Sequence, residues 1–168
     1  MRVTLSGVCL LAIFTTGCAR PASPTAPTPA SASSQVQEIT LEAEAGTGDG
    51  DLHHRAHASG ALTIHLAPGQ RRLWTVTAAR GAASYAVFVT YSNDNPGESE
   101  LLRVEVDNRL VGTFRAQDTG DDGAGWEIFV DDLAGSSALS SVAHTISVES
   151  SGGDGCIEID KITLKPMS

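Results

Sequence analysis

Three carboxylates near the two ends of the chain have the types and positions to hold a cation. Glu42 and Glu44 alternate with alanine in LEAEAG (41–46), and Asp160 lies in IEIDKITL (157–164). Residues two apart share a face of an extended strand, so Glu42 and Glu44 are expected on one side of a first strand. A last strand laid against it would add Asp160. Gathered like charges repel unless a cation compensates them, and an all-oxygen set suits a hard ion such as Ca2+. Strand carboxylates facing solvent and paired with Lys or Arg are the plainer alternative.

Two other groups carry chemistry. His53, His54 and His57 fall close together beside Asp49 and Asp51, and imidazole is a ligand for zinc or copper. No Cys and no evident helix accompanies them, so solvated loop histidines are the expectation. His65 and His144 sit in strand-like segments, where ordinary hydrogen bonds are expected. Asp121 and Asp122 precede Trp126 in a glycine-rich loop, and Glu158 shares a strand face with Asp160. The patterns G-x-S-x-G, H-E-x-x-H and the P-loop are absent, and no spacing singles out a glycosidase pair of acids. A binding protein is expected, not an enzyme.

The 168 residues suffice for one domain with a core. Arg2, the apolar run Val8 to Phe14 and then Thr15-Thr16-Gly17-Cys18 have the layout of a secretory signal. The run is too short to span a bilayer. Thr-Thr-Gly-Cys resembles a bacterial lipobox, with Thr15 where Leu is usual. That resemblance implies a signal peptide over 1–17, lipidation of Cys18 and an extracytoplasmic protein held to a bacterial membrane by its lipid alone. Residues 18–35 are rich in Pro, Ala, Ser and Thr and read as an extended spacer. The domain is expected over 36–168.

Of 11 basic and 20 acidic residues the signal removes only Arg2, leaving 10 against 20 and a formal charge of −10. That balance excludes phosphate-backbone binding of the kind nucleic acids demand. Cys156 is the one cysteine left in the domain, so no disulfide forms within it, and a small buried hydrophobe is its expected role.

Alternation and turn residues predict strands over 38–45, 61–66, 72–78, 83–91, 101–107, 109–116, 126–131, 143–149 and 156–164, with no helix of ordinary length. In SYAVFVTYSN, Tyr85, Val87, Val89 and Tyr91 share one face, and both faces are apolar enough for a central strand. Asp107-Asn108 marks a hairpin. Three polar segments, 46–60, 92–100 and 117–125, read as loops. Many short strands with polar turns predict an all-β, antiparallel β-sandwich.

The order of LEAEAG (41–46), GQRRLWTV (69–76), YAVFVTYSN (85–93), LRVEVDNRLVGTF (102–114), GWEIF (125–129), HTISV (144–148) and IEIDKITL (157–164) resembles carbohydrate-binding modules of families 6 and 35. These are jelly-roll sandwiches of the galactose-binding-like type. The resemblance runs from Ile39 to Leu164 and implies a structural calcium at Glu42, Glu44 and Asp160, with a polysaccharide or glycan as partner. It also implies a sugar platform at Trp126, with Phe129 as the companion core aromatic. Glu158 stands where those families place an asparagine, and between Gly46 and Leu73, where they place a second stacking aromatic, there are histidines. Asp121 and Asp122, with Glu158, are candidates for a second calcium bridging to an acidic sugar. A monomer with non-catalytic carbohydrate binding is expected; the alternative is an envelope lipoprotein that uses the same fold to hold a protein.

Overall fold

The computed structural model describes residues 36–79, 83–95, 100–120, 122–153 and 155–167, all within one compact unit, Ser34–Ser168. The expected signal and spacer, Cys18 and Asp121 lie outside the described residues. Among the described residues eleven strands are formed: β1 (Ile39–Glu42), β2 (Thr47–Gly48), β3 (Asp51–His54), β4 (Leu62–Leu66), β5 (Arg71–Thr77), β6 (Ala83–Ser92), β7 (Leu101–Val106), β8 (Arg109–Arg115), β9 (Val130–Leu139), β10 (Ala143–Gly152) and β11 (Ile157–Pro166). Three single-turn 3-10 segments occupy Ala43–Ala45, Ser59–Ala61 and Gly125–Glu127.

The strands form two antiparallel sheets. One runs β3-β4-β11-β6-β9 with β1 also on β11; the other runs β2-β5-β10-β7-β8. Their inner faces close on a core that includes Ile64, Trp74, Tyr85, Val87, Val89, Tyr91, Leu102, Ile146, Ile159 and Leu164. The expected antiparallel sandwich is therefore formed. Tyr85, Val87, Val89 and Tyr91 do line the core. The opposite face of β6 is only half covered: Ala86 and Phe88 stay partly exposed, and Lys165 Nζ lies 4.3 Å from the Phe88 ring centroid.

Asp107 and Asn108 both take positive φ, 51° and 60°, and Val106 pairs with Arg109 across them. This is the mirror-image turn whose twist matches a hairpin. On the open flank β8 crosses β9 so closely that a Cβ at Gly112 would run into the Ala134 carbonyl oxygen, and one at Gly135 would stand 2.6 Å from the Val111 carbonyl oxygen. These glycines let two edge strands from different sheets touch backbone to backbone.

Three expectations are corrected. The first strand stops at Glu42, because Ala43–Ala45 turn as a 3-10 segment, so period-2 alternation does not carry Glu44. The loop after it holds two strands, β2 and β3, too short and polar to be seen by hydrophobic pattern. Trp126 lies on a 3-10 turn, and the strand expected over 126–131 begins only at Val130.

Gly112→Ala should destabilise the fold by about 1–3 kcal/mol, the usual cost of forcing atoms into a packed region. Denaturant melts at constant m-value would measure it. An unchanged midpoint would mean that β8 and β9 can part without loss.

Candidate functional site

One end of the first sheet carries two carboxylate centres on a single strand, and both follow from how β11 is paired. β4 covers one edge of β11 through Ile159, pairing with Ile64. β1 takes over on the same edge at Lys161, pairing with Glu42. On the other edge the β6 register also shifts between Ile159 and Lys161. Asp160 therefore sits at the seam where one neighbour hands over to the next, and the turns that end β1 and precede β4 meet there.

At the seam Asp160 is 2% exposed. Its Oδ1 accepts the Ser59 N–H at 2.8 Å, and Ser59 Oγ donates to Glu42 Oε1 at 3.0 Å. Gly60 takes φ +64°, and a Cβ there would lie 3.1 Å from Glu44 Oε1. Glu42, Glu44 and Asp160 each border the turn at Ser59 and Gly60, so a turn and not strand alternation sets the place of Glu44. Glu42 Oε2 and Glu44 Oε2 are buried without a hydrogen-bond partner. The cation at hand is Lys161 Nζ, 3.6 Å from Asp160 Oδ2. Burial pushes the Asp160 carboxyl up to about 6; Lys161 and the Ser59 N–H oppose the rise and the Glu42 charge adds to it. Trp74 is core, with Nε1 donating to the Glu42 carbonyl at 2.8 Å.

Two residues earlier, Glu158 is fully buried on the outer face of the sheet, since its neighbours Ile157 and Ile159 point to the core. It pairs with His65 on β4, and Thr63 of β4 pairs with His53 on β3. Arg55, just past β3, donates to Glu158 through Nε at 2.7 Å and Nη2 at 2.5 Å. His53 Nδ1 lies 2.7 Å from Oε1, and Thr63 Oγ1 donates to Oε2 at 2.8 Å. Burial alone would raise this carboxyl, but Arg55 above all, with His65, His53 and Thr63, outweighs it and holds Glu158 well below the usual carboxylate range. Both Glu158 oxygens are thus hydrogen-bonded, whereas Glu42 Oε2 and Glu44 Oε2 are not.

Trp126 stands beside this cluster. Its ring is half-buried, with the Arg55 guanidinium 5.6 Å from its centroid and the His65 ring at 5.9 Å. The turn that carries it is fastened to the end of β6: Gly125 N–H donates to Asp94 Oδ2 at 3.1 Å and Thr119 Oγ1 to the Gly125 carbonyl at 2.9 Å. Asp94 Oδ1 is buried and unpartnered. Glu127 Oε2 accepts the His57 N–H at 3.0 Å.

Of the residues expected at a sugar site, the structure gathers Trp126 and Glu158, with Glu158 underneath and Arg55 between. Asp122 is exposed and accepts the Ala124 N–H at 3.1 Å, capping its own turn. Arg55 and Asp94 gave no motif by which sequence alone would find them. His65 is not an ordinary hydrogen-bonding strand residue: its Nδ1 is buried and unpartnered, 3.5 Å from Glu158 Oε1. His144 is one, joined to Asp107 at 2.7 Å and to the Ser140 N–H at 2.9 Å. Cys156 is a free thiol, half-buried, with its pKa raised by burial and by the Glu100 charge.

The architecture is that of the family 35 carbohydrate-binding module β-sandwich. Solved structures with this fold include a family 35 module from Clostridium thermocellum, 20% identical, with a TM-score of 0.65 over 76% of this chain and 97% of that one. A family 35 module from an environmental isolate is 18% identical, at 0.63 over 77% and 93%. The GH26-CBM35 β-(1,4)-mannanase of Podospora anserina is 19% identical, at 0.63 over 80% of this chain and 28% of the mannanase. No family model and no curated protein sequence matches the chain.

A carboxyl whose pKa is raised on folding binds protons in the native state that the unfolded chain releases, so its share of stability is lost as pH rises. In chelator, the stability of the protein relative to Asp160→Asn should therefore fall as pH rises from about 4 and level off above the raised value of about 6. Thermal melts of both proteins across that range would check it; parallel curves would remove the buried, unpaired character of Asp160.

Proposed function

We propose that the chain is a non-catalytic carbohydrate-binding module, stabilised by calcium and carried as a monomer on a lipid-anchored extracytoplasmic protein. The observation that carries this reading is Trp126, an indole held on a fastened turn and left half-open to solvent, with the Arg55 guanidinium beside it. An aromatic face stacks on the apolar face of a pyranose ring while the hydroxyls meet polar groups at the rim. The fold supports the reading, since its solved counterparts are described as family 35 carbohydrate-binding modules.

The calcium reading rests on the seam. Two buried carboxylate oxygens without partners are costly unless charge-compensated, and Glu42, Glu44 and Asp160 offer oxygen donors only, which suits a hard cation. When bound, the ion supplies positive charge and fastens the end of β1 to β11. Lipidation of Cys18, with residues 18–35 as spacer, would hold the sandwich away from a membrane surface.

Calorimetric titration with a panel of neutral and acidic polysaccharides, in calcium and then in chelator, tests the proposal. Heat of binding from at least one glycan is expected, and Trp126→Ala should weaken it by about tenfold or more, equivalent to about 1.4 kcal/mol, with little change in melting temperature. Calcium should raise the melting temperature, and Glu42→Gln should blunt that rise. A collapse of stability in Trp126→Ala would make the indole a core residue. Silence from every glycan beside a calcium-dependent melt would leave the fold and favour a protein-binding role.

A further inference from the structure

Glu158 and the two histidines above it have the makings of a second metal site, different in kind from the oxygen trio at the seam. Among the described residues, His53, His65 and Glu158 form the group of potential ligands whose donor atoms all lie within 4.8 Å of one another. The seam carboxylates are not drawn that close. The three ligands come from β3, β4 and β11, which are consecutive in the sheet, so hydrogen-bonded strands and not a loop fix their separation. The two imidazoles are stacked, with ring centroids 4.6 Å apart, and present Nδ1 atoms at 2.7 Å and 3.5 Å from the same oxygen, Glu158 Oε1.

We propose that His53 Nδ1, His65 Nδ1 and Glu158 Oε1 bind a divalent transition cation of the zinc type, independently of any sugar. The His65 Nδ1 atom carries the argument. It is a buried ring nitrogen 3.5 Å from Glu158 Oε1 that has no hydrogen-bond partner in the chain, and a metal ion seated between the two would give it one. Zinc accepts imidazole nitrogen together with carboxylate oxygen, and with a water or ligand filling the fourth place it needs only three protein donors. Calcium does not compete here, because it prefers a larger, all-oxygen set.

The charge also balances. Arg55 is flanked by Glu158, Glu127 and Asp94, and three carboxylates against one guanidinium leave a net charge of −2, which one divalent cation neutralises. Binding replaces the Nδ1 proton of His53, which goes to solvent. Arg55 Nη2 shares Oε1 with the incoming ion, while its Nε keeps Oε2. Thr63 Oγ1 also stays on Oε2 and orients the carboxylate from behind, as outer partners of metal ligands do.

Zinc chloride titrated calorimetrically into the full chain, in excess calcium and without glycan, tests this. One zinc per chain is expected, unaffected by further calcium. His53→Ala and His65→Ala should each weaken zinc binding by at least about tenfold, the lower range of the losses seen even for outer-shell partners, while His54→Ala leaves it unchanged. No zinc binding by the unsubstituted chain would overturn the assignment, as would loss in His54→Ala with His53→Ala and His65→Ala unaffected. Cobalt added to the unsubstituted protein gives a reading that does not depend on how well the variants fold: intense visible bands of a low-coordinate nitrogen–oxygen site support it, and only the faint spectrum of the hydrated ion overturns it. Because neither titration contains sugar, failure of this site and failure of the carbohydrate reading are separate results.

Discussion

A β-strand has two edges, and β11 must satisfy three partners. β6 takes one edge along its length, so β4 and β1 have to share the other end to end. Wherever two strands abut along a third, the ladder is interrupted, and the groups at the join need other company. Here the join falls at Asp160, inside the register shift, and the turns around Glu42 and Ser59 are drawn in to cover it. The position of the carboxylate centre thus follows from the topology of the sheet.

The two acidic positions of β11 show opposite solutions to one problem. Removing a carboxylate from water costs several kcal/mol unless a counter-charge or a full set of hydrogen bonds replaces the solvent. Glu158 has its answer within the chain: a guanidinium in fork geometry, an imidazole and a hydroxyl. Asp160 has one backbone N–H, a loosely placed lysine and two acidic neighbours with orphan oxygens. The Glu158 carboxylate finds its hydrogen bonds within the chain, whereas the oxygens around Asp160 do not.

The sandwich was legible because its strands announce themselves. β6 alternates over its whole length, the Asp107-Asn108 turn has residues that tolerate positive φ, and the final strand is apolar on its inner face. The register of the seam was not legible, since no local pattern tells a strand that its neighbour changes midway. Glu42, Glu44 and Asp160 could be named from residue type, but for Glu44 the expected geometry was wrong: the alternation that suggested it ends at the 3-10 turn. β3 was hidden by its own composition. DLHH offers no hydrophobic period, and its strand character comes from pairing with β4, which is tertiary override of a weak local preference. His65 read as an ordinary strand histidine because only three-dimensional neighbours show that its Nδ1 has no partner.

The strand that three others depend on is also the last of the described strands to be made. Ile39 pairs with Leu164, 125 positions away, and β4 and β6 likewise wait for β11. Contacts so distant in sequence carry a large closure entropy before they return any stabilisation, which places such folds among the slow folders. The first sheet thus cannot be completed around β1 before β11 arrives, since among the described strands β1 pairs with β11 alone. Until residues 157–166 arrive, the first sheet is two separate strand pairs, β3 with β4 and β6 with β9, and β11 is what joins them.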